Sequence, residues 1–294
     1  MKIGISHEYG MEAYHAINHR LERGSPDWIV SRSDLKDVEQ SPEFWKLGGS
    51  GFKSTEALKT GELLDALVTE PERFNELFEI VEADRYPPKY KEKEADLGKY
   101  LVKRKDLPKY ETMAHALRTK RVETWGSTVG DLLADSCHFQ VAAFTTYTAH
   151  GVTVPLRCLL DVVPEVHWIG DIKTARALDS RSWRRALLYE FGYAMQAAFY
   201  LDVYNAAHNG IQLDVWLKTC YLPDEFPGLK EHFLWFLVKN EQPFQAAVRT
   251  VDAPFIEQGR QRYLRALDAY CLALATDTWP GFPDDVETYN LNDE

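Results

Sequence analysis

From Tyr14 to about Arg121 the apolar residues recur mostly at helical intervals. In TEALKTGELLDALVTEPERFNELF, the positions Leu58, Leu63, Leu67 and Phe74 fall near one helix face, with Thr55 as the candidate N-cap. SDLKDVEQ opens on Ser33 in the same way, and Gly48, Gly49 and Gly51 predict a loop between the two helices. The run DRYPPKYKEKEADLGKYLVKRKDLPKY is polar, basic and rich in Pro and Tyr, which predicts a long loop. After Gly126 the period changes. A helix around Ser127 to Asp135 is followed by FQVAAFTTYT, GVTVPLRCLLDVVP and EVHWIGDIKTA, three β-rich runs separated by turn residues, which predict consecutive strands. Ser180 is the expected cap of one long helix, SRSWRRALLYEFGYAMQAAFYLDVYNAAH. IQLDVWLKTCYL, HFLWFLVKN and FQAAVRTV then return to strand character, and a last helix runs from about Pro254 to Thr278. This order predicts a mixed α/β chain without internal repeats. The expected organisation is one domain over residues 1–294, with a mainly helical lobe over 1–125 and a core over 126–294.

Composition narrows the class. With 294 residues, 45% hydrophobic and 27% charged, the chain can bury a full core, and disordered or collagen-like classes are excluded. The four cysteines, Cys137, Cys158, Cys220 and Cys271, are far apart and form no CxxC pair, a pattern that suits a reducing cytoplasm. No apolar run reaches signal-peptide or membrane-span length, so the expectation is a cytoplasmic protein with no membrane partner. The net charge of −11 argues against a nucleic-acid partner, but it hides a local reversal. Between Arg85 and Arg121 twelve Lys or Arg face five Asp or Glu, so a basic patch on an acidic body and a solvated helix surface are both open readings.

The strongest local chemistry is Asp161 at the end of one expected strand and Asp171-Ile172-Lys173 at the end of the next. Period-2 alternation points Asp171 and Lys173 to one face, where the lysine would help hold two carboxylates ionised. Two carboxylates with a basic partner can bind Mg²⁺ through oxygen and orient a water for phosphodiester attack. D-x-K is also a common tripeptide, and strand ends often carry charge for solubility. Here, however, both carboxylates interrupt apolar strands, LRCLLDVV and VHWIGDIKTA, where an unpaired charge is costly and calls for a metal or a cation.

At these residues the chain resembles the PD-(D/E)xK nucleases, and within them the RecE-type, exonuclease VIII-like enzymes. Asp161, Asp171 and Lys173 stand where that family has its two carboxylates and lysine. Gln196 and Tyr200, in QAAFY, match the Q-x-x-x-Y helix motif of the RecB-like branch, on one helix face at i and i+4. SRSDLKDVEQSPEFW, TGELLDALVTEPERF, LVKNEQPFQAAV and WPGF follow in the expected order, so the resemblance spans about Ile5 to Phe282. It implies a central mixed sheet flanked by helices. Three positions depart from the pattern. Asp65 stands where relatives often carry a histidine, Gln140 where a glutamate is expected in a first strand, and Lys239 near another common glutamate position.

The resemblance implies that Asp161 and Asp171 hold one or two Mg²⁺ ions, with Mn²⁺ able to substitute, the Ile172 carbonyl as a further ligand and Asp65 completing the site. Asp65 also reads as a surface aspartate. Lys173 would orient or help deprotonate the attacking water, and Gln196 and Tyr200 would position the DNA strand or the lysine. Arg181, Arg184 and Arg185 either contact backbone phosphates or pair with the acidic body. The aromatic residues Tyr189, Phe191 and Tyr193 recur at spacings that mean core. Without GxxxxGK[ST], no ATP site is expected; HExxH and GxSxG are also absent, and His15 and His19 lack a third-ligand context.

The implied activity is a Mg²⁺-dependent exonuclease acting on double-stranded DNA ends, 5′ to 3′. It would leave 3′ single-stranded tails for a single-strand annealing partner in phage-type recombination, and would work as a ring-forming homo-oligomer. Two rivals follow from the departures at Asp65 and Gln140 and from the breadth of the superfamily. One is a DNA-end-binding accessory protein with a weakened site, and the other is an endonuclease or single-strand nuclease.

Overall fold

A computed structural model describes residues 2–9, 11–50, 56–82, 86, 89–134, 136–219 and 228–282. After a short strand β1 (Gly4–Ser6), helices α1 (Met11–Ala16), α2 (Arg32–Gln40), α3 (Pro42–Lys46) and α4 (Glu56–Thr69) follow. The cap of α2 is Ser31 rather than Ser33: its hydroxyl and the Asp34 carboxylate form a reciprocal capping box. Thr55 and Gly51 lie outside the described residues, so the expected cap of α4 is not assigned.

The basic stretch expected as a long loop is largely ordered structure. Helix α5 (Phe74–Leu77) leads into β2 (Phe78–Val81), which pairs in parallel with β3 (Tyr100–Lys103) across α6 (Tyr90–Leu97). Leu101 and Val102 are buried, and Val102 packs with Phe74 and Phe78. Two apolar residues hidden among the cations are enough to anchor a strand, and their brevity is why composition alone read as loop. Helix α7 (Leu107–Arg118), the two-residue strands β4 (Arg121–Val122) and β5 (Ser127–Thr128), and α8 (Val129–Ala134) complete the first part.

The three consecutive strands form as expected: β6 (Cys137–Ala149), β7 (Val152–Pro164) and β8 (Trp168–Ala175). A two-residue loop, His150-Gly151, closes the β6–β7 hairpin. The segment read as one helix is broken. Asp179, not Ser180, caps α9 (Ser180–Arg185), a π-helical turn spans Ala186–Glu190, and α10 (Tyr193–His208) begins after Gly192. Gly192 sits at φ 62°, a left-handed conformation that glycine adopts without steric cost. The run IQLDVWLKTCYL, expected as a strand, contains helix α11 (Leu213–Thr219) instead. Its buried residues are Leu213 and Trp216, spaced i and i+3, so tertiary burial overrides the alternating pattern. Strands β9 (His232–Lys239) and β10 (Ala246–Arg249) and the last helix α12 (Ala253–Thr276) end the described chain.

One six-stranded sheet, in the order β1-β6-β7-β8-β9-β10, organises these elements. It is mixed: β8 and β9 run parallel, and the other neighbours are antiparallel. Helices cover both faces. Phe233, Trp235 and Leu237 of β9 pack with residues of α2, α10 and α12, among them Leu35, Phe199 and Tyr263. Leu234, Phe236 and Val238 pack on the opposite face with Leu64 and Val68 of α4 and Met113 and Leu117 of α7. The unbroken apolar run FLWFLV is what a strand buried on both faces requires. Between α10 and α12 the buried Asp202 accepts hydrogen bonds from Tyr263 Oη at 2.7 Å and from Arg260 Nε and Nη2 at 2.7 and 2.9 Å. A fully paired charge of this kind fixes one helix against the other. No helix among the described residues is long and apolar enough to cross a membrane.

Candidate active site

The site grows from a break in the sheet. Strands β6 and β7 pair from Cys137↔Pro164 to Ala149↔Val152, whereas β7 and β8 share a single register pair, Val162↔Gly170. Packing requires glycine there: a Cβ on Gly170 would lie 2.6 Å from the Phe236 ring and 3.0 Å from Trp168. Asp161 borders this junction. Its Oδ2 accepts the Ile172 backbone N–H at 3.1 Å, so a side chain takes the place of a ladder partner.

Beyond the junction Asp171 and Lys173 share a face, with Lys173 Nζ 2.6 Å from Asp171 Oδ2. Asp171 is 2% exposed, and its Oδ1 accepts a 2.9 Å hydrogen bond from Gln196 Nε2 of α10. Ile172 points to the other face, into the α4–α7 core. Tyr200, one helical turn after Gln196, packs its ring against Phe233 with 6.1 Å between centroids. Burial and then the Asp171 charge raise its phenol pKa, so it stays protonated.

Asp65 reaches the site from α4. Its Oδ2 accepts a 2.7 Å hydrogen bond from Gln140 Nε2. Gln140 lies on β6 at φ 51°, in the unpaired step between Phe139↔Val162 and Val141↔Leu160, which sets it opposite Asp161. The two departures from the family pattern are thus bonded to each other. An amide is the side chain that can donate to Asp65; a glutamate there would repel it. Lys239, the third departure, pairs with Ala175 at the end of β9.

The electrostatics follow from three carboxylates and one ammonium held with little access to water. Loss of water and then the Asp171 charge push the Asp161 carboxyl up to about 7, while Lys173 and the Ile172 N–H oppose the shift. Burial and then Asp161 raise Asp65 well above the usual carboxylate range, against the pull of Lys173 and Gln140. For Lys173 burial works toward a lower pKa, but Asp171 and Asp161 outweigh it and hold the ammonium protonated above its ordinary range.

Two residues that the sequence does not mark as site residues, one of them read as core, belong to this neighbourhood. Arg32 of α2 reaches across to the Phe191 and Gly192 carbonyls, the latter at 3.0 Å. Burial lowers its guanidinium pKa, while Tyr200, Tyr193 and Asp171 oppose that shift. Tyr193, at the start of α10, lies within the electrostatic reach of Lys173 and Asp171. The only sequence signal for Arg32 is its place inside SRSDLKDVEQSPEFW; for Tyr193 there is none. Arg181, Arg184 and Arg185 are exposed along α9, and Arg185 Nε lies 3.8 Å from Glu190.

Among the described residues no group of three or more His, Cys, Asp or Glu side chains is drawn together as a finished metal cage. The donor chemistry nonetheless fits a hard divalent cation. Carboxylates from three elements, Asp65, Asp161 and Asp171, lie within electrostatic reach of one another, and Asp65 Oδ1 is buried with no hydrogen-bond partner. A cation would satisfy that oxygen and relieve the repulsion that raises Asp65 and Asp161.

Comparison with solved structures agrees with this architecture. A presumed exonuclease from Eubacterium rectale superposes with a TM-score of 0.52 at 13% identity, covering 92% of this chain and 88% of its own. The protein SSO0001 shows a TM-score of 0.26 at 11% identity over 44% of this chain and 50% of its own, too low to bear on the fold. No curated protein matches the sequence. The family model described as a PDDEXK-like domain of unknown function, DUF3799, matches residues 31–292, nearly the whole chain. With that match, and with Asp161, Asp171 and Lys173 gathered where a mixed sheet opens, the chain belongs to the PDDEXK-like DUF3799 family.

Proposed function

We propose that this protein is a Mg²⁺-dependent nuclease that degrades double-stranded DNA from its ends, 5′ to 3′, with Mn²⁺ able to replace Mg²⁺. The observation that carries the reading is Lys173 Nζ at 2.6 Å from Asp171 beside Asp161, in the gap between two strands. The likeness in fold to a presumed exonuclease supports the choice among nucleases.

On this reading Asp161, Asp171, Asp65 and the Ile172 carbonyl hold the cation. When bound, a divalent cation lowers the pKa of water and offsets charge on the scissile phosphate. Gln196 fixes the Asp171 carboxylate by donating to Oδ1, leaving Oδ2 to the lysine. Lys173 would orient the attacking water or help deprotonate it, and would stabilise negative charge as it develops. Tyr200 stays protonated and packs beneath the site, where it positions the strand. Arg181, Arg184 and Arg185 contact phosphates on the approach. A 3′-tailed product would pass to a single-strand annealing partner, and a ring of copies would hold the duplex with an acidic exterior and a basic lining. The reaction belongs in the cytoplasm and uses no ATP.

The test is digestion of linear duplex DNA labelled at either end, in Mg²⁺ or EDTA, beside covalently closed circles. Early release of the 5′ label in Mg²⁺ alone, with circles intact, is the expected result. Cutting of circles would move the protein to the endonucleases. Retention of DNA ends without cleavage in Mg²⁺ or Mn²⁺ would make it an end-binding protein.

A further inference from the structure

The aromatic residues between the π-helical turn and α10 do not all enter the core. Phe191 is 44% exposed, although its position in the sequence reads as core. Its ring stacks on Tyr193 with centroids 5.3 Å apart and planes 23° from parallel. Tyr193 in turn packs against Trp183 and Trp235, at 5.7 and 6.1 Å, and feels the charges of Lys173 and Asp171. The pair thus begins in solvent and ends beside the carboxylates.

The backbone beneath it is held. Arg32 donates to the Phe191 and Gly192 carbonyls, and Lys36 Nζ donates to the Glu190 carbonyl at 3.2 Å. Three successive carbonyls are therefore gripped by two cations from α2, and Gly192 fixes the bend. A ring presented by a fixed backbone loses little conformational freedom when something stacks on it.

The surroundings select the partner. From Arg181 to Gly192 the chain carries three arginines and one glutamate, in a protein of net charge −11. No carboxylate pairs with Arg181 or Arg184 among the described residues. An exposed aromatic ring with cations along its flank is the arrangement that binds single-stranded nucleic acid, with bases on the ring and phosphates on the arginines. A hydrophobic protein partner would not call for the unpaired arginines.

We infer that the stacked pair Phe191–Tyr193 is a nucleobase platform, on which an unpaired base of the DNA strand stacks while that strand's backbone lies at Lys173. The inference rests on the nuclease reading and adds a contact that reads the base face and is indifferent to its identity. It places a short unpaired stretch of DNA beside the carboxylates, so the duplex is opened before it is cut.

The test pairs a protein variant with a change in the DNA. Affinity for a short single-stranded oligodeoxynucleotide, and for the same backbone without bases, is measured in EDTA for the parent protein, Phe191→Ala and Phe191→Tyr. Phe191→Ala is expected to weaken binding about tenfold on the base-bearing strand. On the abasic strand it should bind like the parent, and Phe191→Tyr should restore affinity. Thermal unfolding of each variant, run alongside, separates a lost contact from a lost fold. Equal losses on both strands, or none on either, overturn the platform. So does a change in sedimentation with DNA affinity intact, which would assign the ring to a contact between copies. Tyr189→Ala is the comparator. Its ring is 76% exposed two residues earlier, and a loss matching that of Phe191→Ala would mean a general apolar surface and sink the platform. A parent that neither binds nor cuts DNA removes the nuclease reading and this inference together; a parent that cuts linear duplex while Phe191→Ala binds the base-bearing strand as tightly as the parent removes only the platform.

Discussion

The two joints of β7 differ in kind. Toward β6 it is paired along almost its whole length, from Cys137↔Pro164 to Ala149↔Val152, and residues of both strands are buried beneath α10 and α12. Toward β8 it is paired once, at Val162↔Gly170. Every ladder bond made on the first side occupies a backbone group, whereas the second side makes a single such pair and Asp161 turns in to claim the Ile172 N–H. The closed joint gives stability and the open joint gives chemistry, because a charged side chain can enter only where the ladder does not fill the space.

Substitutions on the two sides should separate accordingly. The largest effect belongs to Lys173→Ala, which removes the cation on Asp171 without emptying the core. Cleavage of linear duplex is expected to fall by at least about a hundredfold, with an unchanged circular dichroism spectrum; cleavage at the parental rate would remove the lysine from the mechanism. Next comes Gly170→Ala, whose methyl would press on the Phe236 ring at the single closing register pair. Overpacking of this kind costs about 1–3 kcal/mol, to be read from urea unfolding.

Asp161→Asn tests the same joint through pH. The folded Asp161 carboxyl titrates at about 7, above its ordinary value. Its protonated form is therefore favoured by folding, and that contribution is complete below the ordinary carboxylate range and lost as pH rises toward 7. Without metal, the variant should gain stability over the parent across that window, by at most about 1.4 kcal/mol per pH unit, and the difference should level off above it. A gap that does not vary with pH in EDTA would mean that Asp161 is not held in a repulsive, dehydrated setting. The smallest effect is expected at the closed joint's exposed end. There Thr148 and Thr153 share a 2.9 Å hydroxyl contact, and Thr148→Ala should change stability by less than about 0.5 kcal/mol and leave cleavage alone.

The same contrast explains what could be read from the chain. Strands β6 to β9 are legible as long apolar runs bounded by turn residues, and α12 by the helical spacing of its buried residues; Asp161, Asp171 and Lys173 are conspicuous because they interrupt apolar runs. Where two signals conflict the reading fails. IQLDVWL alternates like a strand, yet it buries Leu213 and Trp216 as a helix. Leu101 and Val102 are too short a run to show through their basic neighbours. Contacts that depend on closure of the fold leave no local trace: Gln140 meets Asp65 across 75 positions, and Arg32 meets Gly192 across 160. Each residue looks ordinary alone, and only the sheet and its covering helices bring them together.

The π-helical turn before α10 has a consequence for how the family can vary. In a continuous α-helix, one inserted or deleted residue rotates everything downstream by about 100°, which would swing Gln196 away from Asp171. Here the wide turn over Ala186–Glu190 and the bend at Gly192 uncouple the phase of α9 from that of α10. The arginine-bearing segment can therefore change length or sequence while Gln196 keeps its aim on Asp171, so it can diversify independently of the carboxylate cluster.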